Sequence, residues 1–219
     1  MLDQRPSMYT VKEIYYTLQG EGRHTGRPAV FLRFSGCNLW TGQEKDRNKA
    51  TCQFCDTDFV GVDGPGGGKF RNPSLLSEAV EKTWTDSVGM DQNRYVVCTG
   101  GEPLLQLDSL AIEALHEKGF QVAVETNGTI SLPTGIDWSC VSPKANAKLV
   151  VSTGDELKFV FPQKDANPSQ FENLQFDHFS LQPMDGPDLA ANTAKAIAYS
   201  LKNPKWTLSI QTHKILGIE

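Results

Sequence analysis

Short apolar, β-rich runs take turns along this chain with segments of helical periodicity, and no other feature limits the fold so strongly. Ala29–Phe34 (AVFLRF), Tyr95–Thr99, Gln121–Glu125, Leu157–Phe161, Phe179–Gln182 and Leu208–Gln211 read as strands, with Thr10–Tyr16 and Ser139–Ser142 as weaker candidates. Asn72-Pro73 supplies a cap and a first-position proline ahead of Leu75, Leu76, Ala79, Val80 and Trp84 at helical spacing. Asp108 caps a second helix that Gly119 stops, and a third runs from about Asp188 to Lys202, ahead of Pro204. Such alternation builds a mainly parallel sheet wrapped by helices, an α/β architecture that is either a barrel or an open sheet. No repeat or linker divides the 219 residues. One domain is expected over 1–219, with a loop insertion around 38–51.

The strand ends carry the chemistry. They contain Ser35-Gly36-Cys37, Thr99-Gly100-Gly101-Glu102, Glu125-Thr126-Asn127-Gly128, Ser142-Pro143-Lys144, Gln182-Pro183-Met184-Asp185 and Gln211-Thr212-His213. Any one of these is ordinary turn chemistry. In parallel α/β sheets, however, the C-terminal strand ends line the site, and six such ends together point to a shared pocket.

Composition narrows the partners. A net charge of −5 with no Lys/Arg block argues against general nucleic-acid binding. Met1–Val11 has no apolar signal core and no stretch approaches ~18 apolar residues, so neither export nor a membrane partner is expected, and a cytoplasmic location is. Five cysteines at low density then read as thiols or metal ligands rather than disulfides. Cys98 and Cys140 sit in strand-like runs and read as core.

Cys37, Cys52 and Cys55 share one loop with the spacing C-x14-C-x2-C. Three thiolates suit a 4Fe–4S cluster that keeps one iron open. A zinc clip completed by a histidine or carboxylate, and buried free thiols, stay open as readings of the spacing alone. The long first gap is no objection: widening a loop from three to fourteen residues costs roughly 1.4 kcal/mol. Thr41-x-x-Glu44 resembles a capping box, which predicts a short surface helix through Lys49 holding Cys37 and Cys52 together. Gly64–Lys69 lacks the Walker spacing and reads as a mobile loop, not an ATP site.

The cysteine-bearing strand end followed by Thr99-Gly100-Gly101-Glu102-Pro103 resembles the radical S-adenosylmethionine superfamily, whose usual motif is C-x3-C-x2-C. Tyr16–Gly22 (YTLQGEG), Phe54–Asp58 (FCDTD), Glu125–Gly128, Ser142–Lys144, Gln182–Gly186 and Gln211–Lys214 extend the likeness over the whole chain. Together they resemble the 7-carboxy-7-deazaguanine synthase family, some members of which carry the longer gap.

That resemblance implies a partial (β/α) barrel, a reduced TIM-like fold, forming a single radical S-adenosylmethionine domain. It implies that Cys37, Cys52 and Cys55 hold the cluster and that S-adenosyl-L-methionine binds its open iron, giving a 5′-deoxyadenosyl radical. The implied reaction turns 6-carboxy-5,6,7,8-tetrahydropterin into 7-carboxy-7-deazaguanine, with ring contraction and loss of ammonia. Phe54, Cys55, Asp56, Gly100, Gly101, Glu102, Ser142, Pro143, Lys144, Gln182, Pro183, Met184 and Asp185 would contact S-adenosylmethionine, and Thr57 would give magnesium a hydroxyl. Leu18, Gln19, Gly20, Arg33, Thr99, Glu125, His213 and the terminal carboxylate of Glu219 would face the pterin. His24, His116 and His178 are left as structural. A flavodoxin or ferredoxin would donate the electron, and the family's homodimers carry over to this chain. A radical activase of a partner protein and a zinc-clipped binding module are the alternatives.

Overall fold

Alternating side chains give each strand two unlike faces, and the sheet sorts them to opposite sides. The computed structural model describes residues 8–89 and 93–218. In chain order it runs β1 (Tyr9–Leu18), β2 (Pro28–Phe34), β3 (Gly68–Phe70), α1 (Pro73–Val88), β4 (Tyr95–Gly100), α2 (Ser109–Glu117), β5 (Gln121–Thr126) and β6 (Trp138–Val141). It continues with β7 (Thr153–Phe161), β8 (Gln175–Pro183), α3 (Leu189–Lys202), β9 (Trp206–Leu208) and α4 (Thr212–Leu216). The strands form one sheet in the order β3-β1-β2-β4-β5-β6-β7-β8-β9. From β2 to β9 every neighbouring pair is parallel, while β1 is antiparallel to both β2 and β3. Among the described residues the sheet does not close, so the fold is a partial barrel. No helix there is long and apolar enough to cross a membrane.

On the convex side, Val30, Leu32 and Phe34 of β2, Val96 and Cys98 of β4, and Val122 and Val124 of β5 pack under Leu76, Val80, Trp84, Ile112 and Leu115 of α1 and α2. Truncating one such buried leucine to alanine costs about 2–5 kcal/mol. Asn72 Oδ1 accepts from Leu75 N at 2.9 Å to start α1, and Asp108 Oδ1 accepts from Ala111 N at 2.9 Å to start α2, as their cap positions predict. A second core joins Leu157, Phe159, Phe179 and Leu181 to Ala196 of α3 and to Trp206. Cys98 and Cys140 are buried, His178 stacks on Trp138, and His24 packs tilted against the same ring.

The concave face is apolar low down, at Ala29, Tyr95, Val97 and Ala123. One alternation further along each strand it turns polar, at Arg33, Thr99 and Glu125. Strand register aligns this polar layer: Arg33 lies beside Thr99, and Glu125 beside Cys140.

Three expectations need correction. Gly64–Lys69 is not a mobile loop: Pro65 O accepts from Ile14 N at 2.7 Å, and Gly68–Phe70 pairs with Tyr9–Val11 as an edge strand. Its glycines permit close approach, since a Cβ on Gly67 would stand 2.2 Å from Lys12 O. The last strand is Trp206–Leu208 rather than Leu208–Gln211, because Trp206 is the residue that anchors it in the core. The helix in the insert spans Glu44–Lys49 as a 3-10 turn with Gln43 at its N-cap position and no side-chain cap bond, and Thr41 instead donates to Asp46 Oδ2 at 3.1 Å.

Candidate active site

The parallel strand ends and the cluster loop enclose a cavity of about 550 Å³, within the range of small-molecule sites. Leu18, Gln19 and Gly20 reach it from the end of β1, Arg33 from β2, Thr99, Gly100 and Gly101 from β4, and Glu125 from β5. Ser142 and Lys144 follow β6, Gln182, Pro183 and Asp185 end β8, and His213 comes from α4. Phe54, Cys55, Asp56 and Thr57 line it from the cluster loop, with Cys52. Pro143, Met184 and Cys37 are not in the wall, and Glu219 lies outside the described residues.

Glu102 is also absent from the wall. It is fully buried and accepts from Leu104 N at 3.0 Å, Thr126 Oγ1 at 2.7 Å and Asn127 N at 2.8 Å. Its carboxylate therefore ties the end of β4 to the end of β5, although burial pushes its pKa up. Expectation placed it beside a ligand, and the structure makes it the brace behind Gly100 and Gly101.

Those glycines are dictated by close packing. Gly100 has φ +138°, and a Cβ there would come 2.2 Å from Phe34 O. A Cβ on Gly101 would meet Gly36 O at 2.3 Å and the Cβ of Cys37 at 2.6 Å. The Gly-Gly turn thus lies directly on the turn that presents Cys37, and Glu102 N bonds Gly36 O at 3.0 Å.

The insert has its own small core. Trp40 meets Phe59 edge to face at 5.6 Å, and the Arg47 guanidinium sits 4.1 Å over the Trp40 ring. Arg47 also donates to Gln53 O at 2.8 Å and Cys55 O at 2.9 Å, so the insert clamps the C-x2-C turn. Cys52 and Cys55 share a hydrogen bond, which lowers Cys55 to about 6 and raises Cys52. Burial raises Cys37.

The donor set separates the candidate groups. Among the described residues no three or more His, Cys, Asp or Glu side chains are gathered to hold a metal ion. Cys52 and Cys55 have the Lys144 ammonium as a charge neighbour, Cys37 feels the charge of Cys55, and no His, Asp or Glu joins the thiols as a metal-holding group among the described residues. Structural zinc wants four closed ligands, whereas thiolate-only donors with an open position fit an iron–sulfur cluster.

The opposite wall is charged. Arg33 Nε donates to Glu13 Oε1 at 2.7 Å and its Nη2 to Tyr15 Oη at 2.7 Å. Lys158 Nζ donates to Glu21 Oε2 at 2.5 Å and Glu125 Oε2 at 2.6 Å. Gln19 Nε2 bonds Glu125 Oε1 at 3.0 Å, and Gln211 Nε2 bonds Glu21 Oε1 at 2.8 Å. Across the rim, Lys214 Nζ bridges Asp56 and Asp185 at 2.5 Å each.

Sequence reading missed Lys158, and it gave no role of their own to Glu21, Gln211 and Lys214, which stand inside the motifs Tyr16–Gly22 and Gln211–Lys214. Lys158 carried a usable signal: a cation inside the apolar run LKFVF is the pattern that marks Arg33 in AVFLRF.

No family model matches the chain. It is 62% identical over 210 residues to the 7-carboxy-7-deazaguanine synthase of Caulobacter vibrioides, covering 96% of this chain and 99% of that one. It is 53% identical over 213 residues to the protein of that name from Nitratidesulfovibrio vulgaris, with the same coverage. The fold is similar to the crystal structure of QueE from Escherichia coli, with a TM-score of 0.66 and 26% identity over 93% of this chain and 94% of that one.

Proposed function

The chain belongs to the 7-carboxy-7-deazaguanine synthase family, and from that premise we propose that it is a radical S-adenosylmethionine lyase. It converts 6-carboxy-5,6,7,8-tetrahydropterin to 7-carboxy-7-deazaguanine by ring contraction, within queuosine biosynthesis. The substrate equals the product plus ammonia atom for atom, so the overall step needs no net oxidant. The single observation that supports this best is the joining of two unlike walls in one cavity, the Cys52–Cys55 turn and the charged strand ends bearing Arg33 and Glu125.

Cys37, Cys52 and Cys55 would hold the 4Fe–4S cluster, which when bound would supply one-electron chemistry to S-adenosylmethionine. The Gly100-Gly101 backbone, Phe54, Asp56, Ser142, Lys144, Gln182 and Asp185 orient S-adenosylmethionine against it. Arg33 grips the pterin carboxylate with a planar guanidinium. Glu125 accepts from the ring's N–H edge, while Gln19, Thr99 and His213 fix the ring's orientation. Tight packing around the Gly-Gly turn keeps water from the reacting centre.

Further parts of the reading are proposals on the same footing. Thr57 gives a hydroxyl to magnesium, which prefers oxygen ligands and retains waters. A flavodoxin or ferredoxin delivers the electron, and the chain works in the cytoplasm as a homodimer of single-domain protomers. Anaerobic incubation with the tetrahydropterin, S-adenosylmethionine and a reductant, with the product identified by mass, tests the reaction. Brown protein that yields no deazapurine would defeat it.

A further inference from the structure

Within the insert, Lys45 and Lys49 are exposed, whereas Arg47 lies on the C-x2-C turn. Its Nη1 donates to Gln53 O at 2.8 Å and to Cys55 O at 2.9 Å. Glu44 holds the other edge, with Oε2 accepting from Nε at 2.7 Å and Oε1 accepting from Nη2 at 2.5 Å. The guanidinium also lies 4.1 Å over the Trp40 ring. Trp40 is 7% exposed, and its Nε1 finds no hydrogen-bond partner among the described residues, so the indole contributes its face here. A planar fork can meet two carbonyls, a carboxylate and a ring at once, which a point-charge ammonium cannot.

This arrangement acts on the cysteine turn in two ways. It fastens the carbonyls on both sides of Phe54 to one rigid group, so the turn is held from its outer side. It also sets a permanent positive charge behind Cys55, with Cys55 and Cys52 as its charge neighbours. Lys144 is the cation on the cavity side, its Nζ donating to Ser142 O at 2.7 Å and Ser142 Oγ at 2.6 Å. An iron–sulfur cluster gains negative charge when it is reduced, and a fixed cation nearby favours that form. The Arg47 side chain is 30% exposed and that of Glu44 74%, so water screens the carboxylate more than the guanidinium and the pair does not cancel.

Resting on the iron–sulfur reading above, we infer that Arg47 is a positioning residue for the cluster: its fork holds the Cys52–Cys55 turn ready to ligate, and its charge makes the cluster easier to reduce. The long first gap then has a purpose, since the insert is what brings Arg47 and Trp40 to the turn.

The test is anaerobic reconstitution, iron analysis and a redox titration followed by electron paramagnetic resonance. Arg47→Gln should keep about half the wild-type iron or less, because the fork is gone. At the wild-type midpoint potential, the ratio of reduced to oxidised cluster that it retains should fall about fivefold, the effect of one partly screened charge. Arg47→Lys keeps the charge and loses the fork, so its iron should fall likewise while the ratio stays within about twofold of wild type. An arginine that only packs would not separate the two variants in this way. A wild-type ratio in Arg47→Gln, an equal fall in Arg47→Lys, or full iron in both variants overturns the inference. If Arg47→Gln takes up no iron, Glu44→Gln decides: it removes the counter-charge at an exposed position, and the ratio should rise about twofold. An unchanged or lower ratio there overturns the inference. Wild-type protein that takes up zinc and no cluster removes the iron–sulfur reading itself, and the inference with it.

Discussion

A Cβ added to Gly20 would stand 2.1 Å from Nδ1 of His213. The end of β1 and the start of α4 are thus in direct contact, and Thr212 N and Oγ1 each donate to Gly20 O at 2.9 Å. Gly20→Ala must push the imidazole out of its place in the cavity wall. The expected result is a pterin KM raised about tenfold, with S-adenosylmethionine affinity and far-ultraviolet circular dichroism unchanged. The site differs by one methyl group, but small misplacements near a reacting centre cost rate steeply. An unchanged KM would mean that this contact does not place His213.

Gly101 tests the other wall. A side chain there meets both Gly36 O and the Cβ of Cys37, and backbone cannot yield as a flexible side chain does. Gly101→Ala should therefore displace Cys37. After anaerobic reconstitution, iron per chain is expected to fall by more than half, together with the brown absorbance. Full iron content in the variant would show that the Gly-Gly turn does not set the cysteine.

Local signals made much of this legible. Asn72-Pro73 and Asp108 marked helix starts because a cap is a contact between near neighbours. AVFLRF and YVVCT marked strands because they are buried on the convex side and polar only at their ends. What escaped depends on distant partners. Lys158 gains its meaning from Glu21, 137 residues away, and Glu125, 33 away. Gly64–Lys69 looked like a mobile loop because glycine's use for close approach shows only once β1 lies against it. The C-terminal segment was misplaced because Leu208, Ile210, Ile215 and Leu216 stay exposed, leaving Trp206 as its one deep anchor.

Glu21 makes stability depend on acid. Its folded pKa, about 2, lies below the ordinary value of 4.5, so its contribution is fully present above pH ~4.5 and is lost as pH falls toward 2. The size is at most about 3 kcal/mol by linkage. Glu125 works the other way: its raised pKa favours the protonated carboxyl and costs stability near neutrality. Glu21→Gln should therefore be less stable than wild type to urea at pH 7, and the gap should narrow steadily as pH falls from 4.5 toward 2. A gap that stays constant across that window would show that Glu21 is not held as a paired anion.

Thr57 lines the cavity two residues beyond Cys55, so a hydroxyl-bound magnesium ion would stand between the cluster loop and the substrate. Added magnesium is expected to raise turnover of chelator-stripped enzyme severalfold, and Thr57→Ala to abolish that response while iron content holds. Equal turnover with and without the metal would reject the role.

Lys214 closes the rim by joining three elements: its ammonium holds Asp56 of the cluster loop and Asp185 beyond β8 to α4. All three side chains are between 33% and 44% exposed, so salt screens the bridge and its worth to stability is under about 1 kcal/mol. Its effect should appear in ligand retention instead. Lys214→Met frees α4, the helix that carries His213, and removes one side of the cover. The pterin KM is expected to rise about three- to tenfold at low salt, with thermal unfolding shifted by no more than a few degrees. In wild type the KM should also climb as sodium chloride goes from low to high concentration. In Lys214→Met that dependence should flatten, because the screened interaction is already gone. A variant whose KM keeps the wild-type salt dependence would place the screened charge elsewhere, at Arg33 or Lys144, and leave the Asp56–Lys214–Asp185 bridge as surface pairing without a part in holding the substrate.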